Sequence, residues 1–260
     1  MTYKTILVNC DAGARVPQRL EVATELAARF GAHLVGAHAR PPFEAPMFFD
    51  GGMPMDSLFQ AYEQQVKNDL NTSSSAFQKA IKGKHLSSEW RVVDGFADTE
   101  LAVHARYADL IVVGQAASQG DGQTPDDMPE AVSLATGRPT LVVPHIGVSR
   151  APGKNVMLCW NASRESARAA SDALPFLKAA EKVTVLVIDP RSTGGGHGAE
   201  PGADVATWLA RHGAKVTVQR DVAADTDVGN VILSRAADHD TAPNRRTTRR
   251  CGLGAGGQNS

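Results

Sequence analysis

The chain has 260 residues with 27 lysines and arginines against 28 aspartates and glutamates, which gives a formal net charge of −1. This balance creates no global field to attract nucleic acid or an acidic membrane, so neither is expected as a partner. With 42% hydrophobic and 21% charged residues, the composition is that of a globular protein long enough for one large or two modest domains. No signal-peptide pattern opens the chain and no apolar run approaches the about 18 residues of a membrane span, so we expect a cytoplasmic protein.

Short apolar runs alternate with amphipathic stretches along the first half of the chain. The predicted strands are 5–8, 34–39, 89–93, 108–113 and 140–143, and the predicted helices are 16–30, 55–82, 100–107 and 130–135. The second helix is expected to be interrupted near the hydroxyl-rich run at 72–75, and Gly31 is expected to end the first helix. Because strands and helices alternate, the sheet should be parallel, with right-handed crossovers and helices on both faces.

The chain then repeats itself. The segment KTILVNCDAGARVPQRLEVATELAARFGAHLVGAHARP is echoed by KNVMLCWNASRESARAASDALPFLKAAEKVTVLVIDP, which predicts strands at 155–159, 183–188 and 215–219 and helices at 165–179, 204–211 and 228–237. After Asp240 the apolar period stops, and TAPNRRTTRRCGLGAGGQNS follows, a change that resembles a shift of reading frame. The expected division is a first domain at 1–148, an incomplete second domain at 153–240 and a disordered tail at 241–260.

Polar residues follow the first strand of each copy. Asp11 and Asn161 stand where the strand turns towards its helix, at the carboxyl end of the sheet, where doubly wound folds bind ligands. A short polar side chain there caps the following helix or accepts a hydrogen bond from a ligand, and the sequence leaves both roles open.

Four segments carry a resemblance. ILVNCDAG, VMLCWNASRESARAASDALPFL, ADLIVVG and RPTLVVP resemble the universal stress protein family in its tandem form, over residues 4–239. The resemblance implies an α/β fold of two Rossmann-like (adenine nucleotide alpha hydrolase-like) units with parallel sheet order 3-2-1-4-5, the second lacking its last strands. It also implies dimerisation through the last strand and, in some members, ATP at the switch point, but no established enzyme activity.

Nucleotide-binding members of that family carry a glycine, two residues, a second glycine, nine residues, and then glycine with a hydroxyl residue. Gly114 occupies the leading position here, but Ala117 replaces the second glycine, and Asp126, Asp127 and Glu130 bring negative charge to the phosphate region. The second copy loses its resemblance before this motif would begin. The residues that the resemblance places near a nucleotide are Asp11 and Asn161 at the adenosine, Ala39 and Ile188 at the base, and Gly114 at the phosphates.

Other motifs give no catalytic or metal site. GGGHG at 194–198 lacks the P-loop spacing, the histidines are dispersed, and Cys10 and Cys159 are interpreted as buried strand-end residues. The family resemblance therefore implies a non-catalytic stress-response or regulatory module with weak or absent nucleotide binding, the alternative being an ATP-binding protein with slow hydrolysis. An adenine-nucleotide enzyme of the wider doubly wound group lacks any supporting signature. A homo-oligomer is expected through the edge strand between Pro139 and Pro144.

Overall fold

The computed structural model describes residues 2–44, 54–115, 128–148, 152–189, 200–223 and 227–241. The chain divides into two compact units, Met1–Lys154 and Asn155–Ser260. None of the helices in the described ranges combines the length and apolar character that a bilayer span requires.

The first unit alternates strands and helices. Its strands are β1 (Thr5–Asn9), β2 (His33–Arg40), β3 (Ser88–Asp94), β4 (Leu110–Gly114) and β5 (Thr140–Val143). Its helices are α1 (Val16–Phe30), α2 (Met55–Ile81), α3 (Ala97–Ala105) and α4 (Met128–Thr136). The strands form one parallel sheet in the order β3-β2-β1-β4-β5, which confirms the predicted topology and places β1 and β4 side by side at the centre.

Local chemistry accounts for the helix boundaries. Gly31 ends α1 with φ 60° and ψ 40°, and its N–H reaches the carbonyls of Ala27 and Ala28, as predicted for a left-handed terminal glycine. The predicted interruption of α2 near 72–75 is wrong, because the helix runs unbroken from Met55 to Ile81. The hydroxyl of Ser73 donates to the carbonyl of Leu70, so it bonds back along the helix instead of stopping it.

The core of the first unit lies on both faces of the sheet. On one face Leu7 and Ile111, from the two central strands, pack with Leu101 of α3 and with Met128 and Val132 of α4, and all five side chains are fully buried or nearly so. The continuous burial of β4 is typical of a central parallel strand.

The second unit has a smaller sheet. Its strands are β6 (Asn155–Cys159), β7 (Lys182–Ile188) and β8 (Val216–Asp221), which pair in parallel in that order, and its helices are α5 (Arg164–Asp172), α6 (Leu174–Ala179), α7 (Ala203–Arg211) and α8 (Val228–Ala236). The single helix predicted at 165–179 is two helices that meet at Ala173. Pro175 lies in the first turn of α6, where a missing N–H breaks no helical hydrogen bond.

The strand register is the same in both units. In each sheet the first residue of the first strand pairs with the first residue of the second strand. The next residue of the first strand pairs, on its other side, with the segment that holds the place of the fourth strand. The matching pairs are Thr5–His33 with Asn155–Lys182, and Ile6–Leu110 with Val156–Thr241. Thr241, which the sequence assigned to the tail, forms this isolated parallel bridge, while the rest of the predicted tail lies outside the described residues.

Candidate functional site

A buried charged pair lies at the carboxyl ends of β1 and β4. Arg19 projects from α1, and its Nη1 is 2.9 Å from Asp11 Oδ2 and 2.9 Å from the backbone oxygen of Asn9. The side chains of Arg19 and Asp11 are 3% and 10% exposed. Because each charge is withdrawn from water, each depends on the other for compensation.

The same guanidinium covers Gly114, the last residue of β4. A Cβ atom at position 114 would lie 2.9 Å from Arg19 Nη2 and 3.1 Å from its Cζ, which is closer than such atoms normally approach. The bare backbone of Gly114 therefore provides the room that the Arg19 side chain occupies. The close approach of Arg19 therefore explains why residue 114 is a glycine without invoking a bound phosphate.

The helical spacing of the sequence indicates that Arg19 is buried, a signal that the sequence analysis missed. Val16, Leu20 and Ala23 form the buried stripe of α1, and position 19 falls on that stripe at helical spacing. A charged residue on an apolar stripe has to find a buried partner, and Asp11 is that partner.

Asp11 and Asn161 shape their turns in the same way. Asp11 Oδ1 accepts from the N–H of Gly13 at 2.9 Å, and Asn161 Oδ1 accepts from the N–H of Ser163 at 3.2 Å. Both are bonds from a side chain to the backbone two residues on, as in Asx turns. Neither residue caps a helix, since α1 begins after Arg15 and the α5 cap is the hydroxyl of Ser163.

The second unit lacks the charged pair. When Asn161 is matched to Asp11, the residue matched to Arg19 is Ala169, which brings no guanidinium to the end of β6. Asn161 itself is exposed, and the fourth-strand position holds Thr241 as its one described residue. The two units thus share a turn but not the side chains around it.

The other predicted site residues do not join this cluster. Ala39 lies near the end of β2, on the opposite side of β1 from Gly114, and Ile188 ends β7 in the second unit. Glu130 lies in the first turn of α4. The candidate phosphate residues Ala117, Asp126 and Asp127 and the GGGHG segment at 194–198 lie outside the described residues.

His38, which the sequence did not single out, is a structural histidine beside Ala39. Its Nδ1 lies 2.8 Å from the carbonyl oxygen of Cys10 and 3.0 Å from Ser73 Oγ, and the residue is 4% exposed. Because the carbonyl oxygen of Cys10 can only accept, Nδ1 carries the proton and donates to it. His38 thereby joins the end of β1 to α2.

Neither described cysteine is suited to act as a nucleophile. Burial raises the pKa of the Cys10 thiol to about 12, and burial raises the pKa of Cys159 to about 11. Both thiols therefore stay protonated at neutral pH, and the thiolate is the reactive form. Within the described ranges, no three His, Cys, Asp or Glu side chains come together as a metal site would require.

Comparison with known proteins identifies the first unit. Residues 2–123 match the model of the Universal stress protein family. The first unit is a universal stress protein domain. The charged pair of Arg19 and Asp11 therefore lies inside this universal stress protein domain, at the carboxyl ends of its two central strands.

One solved universal stress protein shares the fold, and others are similar to part of the chain. The crystal structure of one from Archaeoglobus fulgidus DSM 4304 superposes with a TM-score of 0.64 at 13% identity and covers 90% of this chain and 81% of its own. One from Burkholderia pseudomallei is 24% identical over 55% of this chain and 96% of its own, with a TM-score of 0.40. One from Archaeoglobus fulgidus, solved in complex with dAMP, is 20% identical over 55% and 98%, with a TM-score of 0.35. No curated protein matches the chain.

Proposed function

We propose that this chain is a non-catalytic universal stress protein, a regulatory module of the stress response that binds adenine nucleotide weakly or not at all. In this proposal residues 1–148 are a complete domain and residues 153–240 an incomplete second one, in a cytoplasmic protein. The observation that carries it is the buried pair of Arg19 and Asp11 lying against Gly114.

The pair opposes a nucleotide by occupying its space. In the family resemblance, a ligand approaches the backbone of the glycine that ends the fourth strand, and here Arg19 already lies against Gly114. A nucleotide would have to displace the guanidinium and leave Asp11 without its cation. Breaking a buried ion pair in this way costs on the order of 3 kcal/mol, which weakens binding by about a hundredfold.

Negative charge near the Arg19–Asp11 pair also disfavours nucleotide binding. Once Arg19 moved away, the Asp11 carboxylate would face the ligand, and Glu130 in the first turn of α4 places a further carboxylate at a helix end that otherwise favours anions. The substitution of Ala117 for the second motif glycine points the same way. Each feature disfavours a phosphate group.

The alternative is an ATP-binding protein with slow hydrolysis. It is favoured by the location of Asp11 and Gly114, which flank one guanidinium at the carboxyl ends of adjacent strands, where doubly wound folds bind nucleotides. In that case Arg19 would turn from Asp11 to a phosphate group, and Ala39 would lie near the base. In the second unit, Asn161 would lie near the adenosine and Ile188 near the base.

Calorimetric titration of the whole chain with ATP and magnesium separates the two proposals. We expect no binding tighter than about 100 μM for the native chain, and an affinity at least about tenfold higher for the double variant Asp11→Asn with Arg19→Gln, which removes both charges and shortens the side chain at position 19. Arg15→Ala, an exposed residue of the turn before α1, is the matched control and should behave as the native chain does. Micromolar affinity of the native chain, abolished by Asp11→Ala, would establish the alternative instead.

Self-association is a second part of the proposal. The strand β5 lies at the outer end of the first sheet between Pro139 and Pro144, and Val142 on it is 40% exposed. An apolar edge strand of this kind pairs readily with another chain. We expect a homodimer in light scattering at micromolar concentration and a monomer for Val142→Lys. A monomeric native chain would contradict this part alone.

A further inference from the structure

A groove lies at the amino ends of the first three strands, opposite the end of the sheet that holds the buried ion pair. Its described lining includes Lys4 before β1, Ala27 near the end of α1, His33 at the start of β2, and Lys84 and Ser87 in the loop between α2 and β3. We call it the amino-end groove. Its volume of about 610 Å³ falls within the about 300–1,000 Å³ of small-molecule sites.

The lining of the amino-end groove carries positive charge. Lys4 and Lys84 contribute two ammonium groups, His33 and His85 contribute two imidazoles, and the described lining residues include no aspartate or glutamate. Neither lysine forms a salt bridge with a carboxylate among the described residues. The groove therefore presents local positive charge in a chain whose formal net charge is −1.

A hydrogen bond holds the side chain of Lys84 against α1. Its Nζ donates to Thr24 Oγ1 at 2.7 Å, and Thr24 is fully buried and donates its own hydroxyl proton to the carbonyl of Glu21. An ammonium group has three protons, so two remain for a ligand. Because the side chain is already held in place, a ligand that binds Lys84 loses less free energy to the ordering of a flexible lysine.

The loop between α2 and β3 brings its polar residues to one wall of the groove. Gly83 and His85 both have positive φ, at 76° and 25°, and the carbonyl of Ser87 accepts from the N–H of Leu34 at 2.9 Å. A positive φ is uncommon for a residue that carries a side chain, and such conformations cluster at ligand sites. The wall is thus built by a specific backbone conformation that is fastened to β2.

Two carboxylates close to groove residues are engaged elsewhere. Glu89 forms an ion pair with Arg91, and its Oε1 is 3.9 Å from His33 Nε2. Asp109 Oδ2 accepts from the backbone N–H of Lys4 at 2.7 Å. Neither carboxylate is among the described lining residues, so the ammonium groups in the groove are left to an external anion.

The floor of the groove is apolar. Ala27 and Ala32 are buried, and Leu86 beside them is half-buried. The carbonyl of Ala27 accepts from the N–H groups of Gly31 and Ala32, which satisfies an oxygen at the negative end of the α1 dipole. The floor therefore suits the organic part of a ligand rather than its charged group.

We propose that the amino-end groove binds a small organic phosphate monoester. A phosphate monoester carries a charge of about −1.5 to −2 at neutral pH, which matches the two ammonium groups of Lys4 and Lys84 better than the single charge of a carboxylate. Lysine binds phosphate as a point charge, and the apolar floor covers the organic group. This site is separate from the carboxyl end of the sheet, so it holds whether or not adenine nucleotide binds there.

Phenyl phosphate is the probe, titrated into the full isotope-labelled chain and followed by the NMR shifts of the backbone amides. We expect a dissociation constant below about 1 mM. Benzoate, with one negative charge, and inorganic phosphate, without an organic group to cover the floor, should each bind at least about tenfold more weakly. No saturable binding of phenyl phosphate, or equal binding of either comparison compound, would overturn the proposal.

The position of the shifted amides separates this site from the carboxyl end of the sheet. The amides of His33, Leu86 and Ser87 should shift with phenyl phosphate, whereas those of Gly13 and Gly114 should not. Shifts at Gly13 and Gly114 in place of those at Ser87 would overturn the assignment to the amino-end groove.

Charge-removing variants test the two lysines. Lys4→Gln and Lys84→Gln should each weaken the binding of phenyl phosphate about threefold, and the double variant about tenfold. Lys4→Gln leaves the bond between Lys84 and Thr24 in place, so its effect reports the lost charge alone. Lys67→Gln, which removes an exposed lysine of α2, is the matched control and should bind as the native chain does. Native affinity in the double variant, or an equal loss in Lys67→Gln, would overturn the proposal.

Discussion

Arg19 and Asp11 form an ion pair of 2.9 Å that is almost completely withdrawn from water, between the first helix and the end of the first strand. The pair has no counterpart in the second unit, where Ala169 matches Arg19. The two units therefore differ at the place where their common fold would accept a ligand.

The contact between Arg19 and Gly114 predicts a specific coupling. Gly114→Ala should lower the free energy of unfolding by about 1–3 kcal/mol, because the new methyl group meets the guanidinium. In an Arg19→Ala background the same change should cost at least about 1 kcal/mol less. Urea unfolding of the four proteins in this double-mutant cycle measures the coupling, and purely additive effects would show that the side chain does not lie over Gly114.

The carboxylates of Asp109 and Asp240 accept from the backbone N–H groups of Thr5 and Asn155, the first residues of β1 and β6, which predicts matched losses of stability. Asp109→Ala and Asp240→Ala should each lower the stability of their own unit by about 2 kcal/mol, since each removes a carboxylate that accepts from backbone N–H groups. Amide exchange should quicken at Thr5 in the first variant and at Asn155 in the second. If Asp240→Ala left exchange at Asn155 and Met157 unchanged, the start of a fourth strand beside β6 would be ruled out.

Gly36 in β2 is required by the ring of Phe77 from α2. A Cβ atom at position 36 would lie 2.5 Å from Phe77 Cε2, and the ring also packs against Trp90 at 5.3 Å between centroids. Gly36→Ala should destabilise the first unit by about 1–3 kcal/mol. The double variant Gly36→Ala with Phe77→Leu should recover part of this loss in thermal unfolding. A lower stability of the double variant than of either single variant would contradict the contact.

The buried thiol of Cys10 makes stability depend on alkaline pH. Burial raises its pKa from 9.0 to about 12, so above pH 9 the unfolded chain loses this proton while the folded chain keeps it. The contribution is fully present below pH 9 and is lost as pH rises towards 12, at up to about 1.4 kcal/mol per pH unit. Urea unfolding at pH 9.5 and 10.5 should show a steeper decline for the native chain than for Cys10→Ala, and equal slopes would refute the assignment.

Much of the fold could be predicted because buried parallel strands are apolar runs bounded by polar turns. The strands β5 and β6 have the predicted bounds, and the order of the first sheet agrees as well. The break at Ala173 was missed because Pro175 lies inside an otherwise helical pattern and is tolerated in the first turn of a new helix.

The candidate site was only partly accessible to sequence reasoning. Asp11 and Gly114 were singled out from the ends of their strands, but their common neighbour Arg19 was not, since an arginine in an amphipathic helix usually lies on the solvent face. Thr241 was assigned to the tail because a single backbone pairing leaves no trace in the hydropathy pattern. The nucleotide-binding roles of Asp11, Ala39, Gly114, Asn161 and Ile188 remain predictions.

The strand order of the first sheet affects how the protein is made. Ile6 pairs with Leu110, which is synthesised about a hundred residues later, so one edge of β1 has no partner until β4 has left the ribosome. The strands β6, β7 and β8, in contrast, pair in the order of their synthesis. Distant pairing slows the search for native structure and prolongs exposure of apolar backbone. The apolar edge of β1 is therefore exposed in the nascent chain until about a hundred further residues have been made.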